Sequence, residues 1–391
     1  MSTPGPFGSG NPFEGLFGEL AKLFANQGPL NLEVARQLAQ WLAVEGQAEP
    51  NVEPLERIRY GELARVAELQ VAAATGLASS PGGRVATIQP VGRGEWARHT
   101  LDAYRSFFEG LATAMVAPPS AADIDDLVDP ATELLGGVTQ VVGPLLIGMQ
   151  AGTMVGHLAH RAFGQYDLPI PRPPSDELLV VPVNVNAFAG DWSLPLDDVR
   201  LWVCLSELSH HSVISLPHVR NRLEALLGEY VRGFKPDPRV LEERMGDVDP
   251  TNPASFQAVL GDPAELLGAM QTPEQRQVLG RVEALVAAIE GYVDHVMDTV
   301  GQGLLGSYAS LSEALRRRRV ERTDGDQFVE RLFGLELSQA QYDRGSAFVA
   351  GVVSRAGEEG LARLWHSERE LPTPAEVDAP GLWLERIDLP D

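Results

Sequence analysis

The sequence predicts a mainly α-helical protein with a small β-sheet. Segments with apolar residues spaced three and four apart occupy most of the 391-residue chain, which is the pattern of amphipathic helices. Residues 177–185 form a β-branched, nearly continuous apolar run, which is typical of a buried strand. Hydrophobic residues make up 44% and charged residues 22% of the chain, an ordinary globular mixture that can bury a large core.

The helices of the first 165 residues follow from this spacing and from the breaks between them. Residues 1–12 are rich in Gly and Pro and are expected to be disordered. A short extended piece is expected over residues 85–91. Gly148, Gly152 and Gly156 lie four apart, so another helix can approach that face closely. Helices are predicted over residues 30–44 with Asn31 as the N-cap, 54–74, 96–116, 123–135 and 143–163.

The middle of the chain begins at a proline-rich segment, residues 167–174, which stops helix formation. The predicted strand 177–185 comes next, and Pro182 within it indicates an edge or irregular strand. After a turn at 192–195, a helix begins at Leu196, and its first turn carries Asp197 and Asp198, where acidic groups suit the helix dipole. A further helix is expected from His218 to about residue 234.

The C-terminal part is again helical, and Arg316–Arg319 is predicted to be the solvated end of one of its helices. The helices are predicted over residues 263–271, 273–300, 311–320, 326–332 and 339–355. The chain therefore divides into four expected regions: an irregular segment 1–29, a helical region 30–166, a central region 167–235 and a helical region 236–391.

Charge and composition exclude several classes of partner. The chain has 31 Lys and Arg against 54 Asp and Glu, a net charge of −23, which argues against nucleic acid and anionic membranes as partners. The apolar run 141–155 is shorter than the roughly 20 residues that a membrane span needs. A single cysteine, Cys204, and the absence of a signal-peptide pattern in residues 1–12 predict a cytoplasmic protein. The oligomeric state stays open.

The helix that begins at Leu196 carries a variant of a metal-binding motif. In H-E-x-x-H, two histidines at i and i+4 bind zinc from one helix face, and the glutamate deprotonates the metal-bound water. In this chain Glu207 occupies the position of the base and His210 that of the second ligand, whereas Ser206 replaces the first histidine. His211 lies about 100° around the helix from His210 and cannot restore the register. Periodicity alone also allows a structural role, a hydrogen-bonded histidine near a helix C-terminus.

Several ordered blocks of sequence make the chain resemble a known family, the zincin-like metallopeptidases. The resemblance extends over roughly residues 30–385, and the blocks that carry it are 164–169, 180–184 with Phe188 and Asp191-Trp192, 200–203, Val213, 217–220, 289–298, 313–319, 332–337 and Tyr342. Members occur mainly in actinobacteria and related bacteria. They are described as hydrolases or as linked to the biosynthesis of a deazaflavin coenzyme, and the activity of the family is poorly defined.

The resemblance implies a zincin-like core, a small sheet with an edge strand over the metal-site helix, embedded in helical N- and C-terminal regions. It also implies zinc as the cofactor and a peptide or protein as the substrate. Because zincins often take a glutamate from a later helix, Glu290 is the expected third ligand. Asp294 and Asp298 follow Glu290 at i+4 and i+8, so the three carboxylates form one stripe along the predicted helix. His295 is a further candidate ligand. A solvated helix face explains the carboxylate stripe equally well.

Three functions compete at this point. The first is a zinc hydrolase in which Glu207 is the base and His210 and Glu290 are ligands. The second is the same scaffold with weakened or lost zinc-dependent activity, acting as a binding or assembly protein. We favour the second, because a neutral hydroxyl at Ser206 is a poor zinc donor beside imidazole and carboxylate. The third is a helical interaction protein without an ancestral site. The chain has no P-loop and no dinucleotide-binding glycine motif, so neither nucleotide nor flavin is expected.

Overall fold

The structure, a computed structural model, describes residues 29–80, 84–116, 144, 147–233, 272–320 and 338–389. The predicted mainly α-helical fold with a small sheet is confirmed. The predicted disorder at 1–12 and the predicted helices at 123–135, 263–271 and 326–332 lie outside the described residues. The helices are α1 Leu32–Ala43, α2 Pro54–Thr75, α3 Arg93–Ala103, α4 Arg105–Val116, α5 over residues 147–158, α6 Pro182–Asp191, α7 Leu196–Ile214, α8 Pro217–Arg232, α9 Pro273–Leu304, α10 Tyr308–Val320, α11 Gln339–Ala362, α12 Pro374–Asp378 and α13 Pro380–Asp388.

The sheet consists of two parallel strands, β1 (Thr87–Pro90) and β2 (Glu177–Val180), in which Ile88 lies opposite Leu178. The predicted strand 177–185 is wrong beyond Val180, because Pro182 begins helix α6. Proline suits the first helical position, since its fixed φ matches the helix and its missing N–H would have no partner there. The β-branched residues after Val180 therefore form a helix despite their strand propensity.

The N-terminal helices meet through small residues. The Asn31 side chain accepts a hydrogen bond from the Val34 amide at 3.1 Å, which confirms it as the N-cap of α1. A Cβ placed on Gly152 would lie 2.6 Å from the Ala35 carbonyl oxygen. Helix α1 therefore crosses the glycine face of α5 at backbone contact, as the spacing of the glycines predicts. In the described part of the chain, no helix combines the length and the apolar character that a membrane crossing requires.

Residues 93–116 form two helices, α3 and α4, where the apolar spacing predicts one. They meet at Tyr104, whose buried ring lies 5.3 Å from the guanidinium of Arg172 in the proline-rich segment.

Helix α9 is the centre of the C-terminal part and is buried along most of its length. It packs against α7 and α8 on one side and against α11 on another. A Cβ on Gly345 of α11 would lie 1.9 Å from the Ala287 carbonyl oxygen, so α9 and α11 touch backbone to backbone. Helix α9 carries Glu290 and helix α7 carries His210, so the packing of these two helices on each other brings the two side chains together.

Candidate active site

Helix α7 places Ser206, Glu207, His210 and His211 within two turns of one buried helix. Its first turn carries Asp197 and Asp198, and its following helix begins at Pro217. Glu207 is 4%, His210 6% and His211 2% exposed, so these polar groups need partners inside the protein.

Glu207 accepts hydrogen bonds from the backbone of the turn before β2. Its Oε2 lies 3.0 Å from the Gln165 amide and 3.2 Å from the Tyr166 amide. A Cβ on Gly164 would lie 2.3 Å from the Glu207 carboxyl carbon, so glycine leaves the room that this carboxylate occupies. Burial and the nearby charge of Asp167 raise the pKa of Glu207 to about 8, against the opposing effects of His210 and the amide donors.

His210 is oriented by two partners on opposite sides of its ring. Its Nδ1 lies 2.8 Å from the backbone carbonyl oxygen of Ser206, and its Nε2 lies 3.2 Å from Glu290 Oε1. Burial disfavours the charged ring, but the carboxylate of Glu290, which also accepts from Nε2, outweighs it and raises the pKa of His210 to about 9. The predicted pair of His210 and Glu290 is therefore brought into direct contact across α7 and α9.

Two of the polar groups at this site have the spacing of zinc ligands. Two ligands with bonds of about 2.1 Å in a tetrahedral site lie about 3.4 Å apart, close to the 3.2 Å between His210 Nε2 and Glu290 Oε1. Among the described residues no third donor joins them, since the Ser206 hydroxyl lies 3.5 Å from Nδ1, the ring nitrogen that does not face Glu290. In the described ranges no group of three or more His, Cys, Asp or Glu side chains converges. These residues do not fit a three-ligand zinc site.

The other candidate ligands have different partners. His211 Nδ1 lies 2.8 Å from the Tyr166 hydroxyl. Asp294 pairs with Arg319 at 2.9 Å, and His295 lies 3.1 Å from Glu358 near the surface. That His211, Asp294 and His295 bind a metal stays a prediction, and their contacts with other side chains do not support it.

The basic run Arg316–Arg319 was predicted to be solvated, and this is wrong for its last two members. Arg318 stacks on the Phe163 ring with 3.5 Å between its guanidinium carbon and the ring centroid, and it lies 3.6 Å from Asp167. Arg319 lies 4.0 Å from the centroid of the Tyr342 ring while it pairs with Asp294. The two guanidiniums bind α10 to the turn that holds Glu207 and to the helix that carries Glu290.

The turn at Gln165–Asp167 was not predicted to belong to the site. Asp167 accepts a hydrogen bond from the Gly164 amide at 2.8 Å, which shapes the turn, and the Tyr166 ring stacks on His210 with 5.8 Å between centroids. The available signal was the block at 164–169, which carried the resemblance. Helical periodicity does not connect a turn to a helix some 40 residues later.

We expect Glu207→Gln to flatten the pH dependence of stability between pH 5 and 8. The fold raises the Glu207 pKa from 4.5 to about 8, so its contribution is fully present below pH 4.5 and is lost as pH rises toward 8. Each pKa unit corresponds to about 1.4 kcal/mol, so the wild type should lose a few kcal/mol more than the variant. Urea unfolding of both proteins from pH 5 to 8 measures this, and parallel pH profiles would contradict it.

Comparisons with known proteins agree with this architecture. The family model for zincin-like metallopeptidases matches residues 30–384. A solved structure from Chloroflexus aurantiacus, described as a "putative hydrolase with a novel fold", aligns with a TM-score of 0.63 and 29% identity. The alignment covers 93% of this chain and 100% of that one. A search of curated proteins gave no match.

Proposed function

Because the chain belongs to the zincin-like metallopeptidase family, we propose that it is a member whose zinc-dependent hydrolysis is lost and that acts as a binding or assembly protein for a peptide or protein. The observation that carries this proposal is the direct contact of His210 Nε2 with Glu290 Oε1 at 3.2 Å, in a site where Ser206 supplies no third ligand. The positive charge of His210 and the negative charge of Glu290 stabilise each other, so no cation is required between them.

The environment of Glu207 supports the same proposal. A general base must reach a water molecule and its proton. Here the carboxylate is 4% exposed and accepts hydrogen bonds from the Gln165 and Tyr166 amides. Glu207 thus serves as the acceptor that holds the turn before β2 against helix α7. Its raised pKa of about 8 also keeps a large fraction protonated at neutral pH, and a protonated carboxyl cannot act as a base.

One observation favours the alternative, an active zinc hydrolase with Glu207 as base. The 3.2 Å spacing of the two donor atoms is close to that of two ligands of one zinc ion. Two donors bind zinc much more weakly than three, so the alternative requires a further ligand that the described residues do not provide.

We expect protein purified without chelator to contain far less than one zinc per chain, and to leave a mixed peptide library intact. The physical reason is the missing donor at Ser206. Elemental analysis and mass spectrometry of the peptides measure the two quantities. His210→Ala is the control, and it should contain the same trace of zinc as the wild type. One equivalent of zinc that disappears in His210→Ala, together with peptide cleavage, would establish the alternative instead.

A further inference from the structure

A cavity of about 760 Å³ lies between helix α4, helix α8 and the proline-rich segment. Its volume falls within the roughly 300–1,000 Å³ of cavities that bind small molecules. It is separate from the candidate active site, since Glu207, His210 and Glu290 do not line it. Most of its wall is apolar and comes from Tyr104, Phe107, Ile170, Leu227 and Val231. The cavity therefore suits the apolar body of a small ligand.

Contacts within the protein hold the walls of this cavity in place. A Cβ on Gly110 of α4 would lie 3.2 Å from Val231 Cγ1, so α4 and α8 approach each other closely beside the cavity. The Tyr104 hydroxyl, at the junction of α3 and α4, lies 3.5 Å from the carbonyl oxygen of Ile170 in the proline-rich segment. A ligand thus does not have to create the cavity, and preformed sites bind at a lower entropic cost.

Arg172 places a positive charge at the wall of this cavity while it is only 8% exposed. Its guanidinium carbon lies 5.8 Å from the centroid of the Trp96 ring and 5.3 Å from that of Tyr104, and its Nη2 donates to the Thr100 hydroxyl at 2.9 Å. These partners are all neutral. Among the described residues no carboxylate forms an ion pair with Arg172, and its Nε is buried without an acceptor. Because buried charges are ordinarily paired, a bound anion would supply the counter-charge that Arg172 lacks.

Arg232 adds a second positive charge to the same cavity. It is exposed, and its Nη1 lies 3.1 Å from the position of a Cβ on Gly228, which also lines the cavity. The described residues provide no carboxylate partner for it either. Glu224, which is exposed, is the acidic residue among the described lining residues. The lining therefore carries two positive charges and one negative charge in a chain whose net charge is −23, and such a local excess attracts anions.

We propose that this cavity binds an anionic amphiphile, a small ligand with a carboxylate or phosphate head group on an apolar body. The head group pairs with the guanidinium of Arg172, whose planar fork matches the oxygens of either group, and Arg232 adds its charge at the exposed side. The apolar body lies against Phe107, Leu227 and Val231, away from water. The site needs no zinc, and it is independent of whether the protein binds or hydrolyses peptides.

Calorimetric titration with octanoate and with octyl phosphate, each below its micelle concentration, tests this site. We expect at least one of them to bind saturably, and Arg172→Gln to weaken binding by about tenfold or more, because hydrogen bonds to a charged group are lost. Arg232→Gln should weaken binding by about two- to fivefold, since its charge is exposed. Tighter binding of octanoate identifies a carboxylate ligand, and tighter binding of octyl phosphate a phosphoryl ligand.

Controls separate this site from nonspecific adsorption. 1-Octanol has the same apolar body without the charge, and acetate has a carboxylate without the body, so both should bind about tenfold more weakly or worse. Arg222→Gln removes one positive charge from the same helix, α8, at a position that does not line the cavity, and it should bind like the wild type.

A second measurement places the ligand directly. In protein with labelled methyl groups, the bound amphiphile should show nuclear Overhauser cross-peaks to Ile170, Leu227 and Val231. The proposal is overturned if neither amphiphile binds saturably, if 1-octanol binds as tightly, if Arg232→Gln binds as tightly as Arg222→Gln, or if the cross-peaks come from other methyl groups instead. Arg232→Gln and the wild-type cross-peaks decide the question even if Arg172→Gln does not fold.

Discussion

Ser206→His is expected to convert the chain into a protein that holds one zinc ion tightly. Positions 206 and 210 are i and i+4 on α7, so the introduced imidazole lies on the helix face of His210. His210 already donates Nδ1–H to the Ser206 carbonyl oxygen at 2.8 Å, so Nε2, which faces Glu290 Oε1 at 3.2 Å, is the nitrogen that zinc would bind on displacing its proton. The variant therefore has three ligands, the number typical of catalytic zinc sites.

The gain in zinc affinity should exceed the roughly 10–100-fold changes in affinity that mutations outside the first coordination sphere cause. Competition with a chromogenic chelator measures zinc affinity, and peptide cleavage is followed in parallel. Ser206→Ala is the matched control and should bind no better than the wild type. Ser206→His combined with His210→Ala should lose the gain. If Ser206→His binds zinc as poorly as the wild type, then His210 and Glu290 are not placed as zinc ligands, and the proposed descent of this site from a zinc centre fails.

Gly345→Ala is expected to destabilise the protein by at least about 3 kcal/mol, the upper part of the range for overpacking. A Cβ there would lie 1.9 Å from the Ala287 carbonyl oxygen and 3.0 Å from the Gly291 amide nitrogen, both of them backbone atoms that no rotamer change can move. Helices α9 and α11 would have to separate. Since α9 carries Glu290, the same shift would also disturb its contact with His210 at 3.2 Å.

Gly280→Ala is the matched control for this effect, because a Cβ on Gly280, also in α9, meets no atom within 4 Å. It should stabilise the helix by about 0.5–1 kcal/mol, the usual gain when alanine replaces glycine in a helix interior. Urea unfolding of both variants gives the two free energies. An unfolding free energy of Gly345→Ala within 1 kcal/mol of the wild type would show that α9 and α11 are not in backbone contact.

Part of the candidate site could be predicted because it is local. The i, i+4 relation of Ser206 and His210, and the base position of Glu207 between them, are properties of one helix. The link to Glu290, 80 residues later, came from the resemblance, since helical periodicity carries no information across such a distance. The turn at Gln165–Asp167 and the role of Arg318 were missed for the same reason: their partners are distant in sequence.

The sequence by itself determined most of the helices, the Asn31 cap and the serine that replaces the first zinc-binding histidine, because these depend on neighbours within about four positions along the chain. Only the tertiary structure decided what the buried charges do. Packing of α9 on α7 turned two candidate ligands, His210 and Glu290, into an ion pair. Packing of α10 partly buried Arg318 and Arg319 and gave each an acidic partner, although the sequence predicts them to be solvated. A charged side chain has a wide choice of partners in an unfolded chain, and the fold alone selects among them, because the desolvation of each charge must be offset where it is buried.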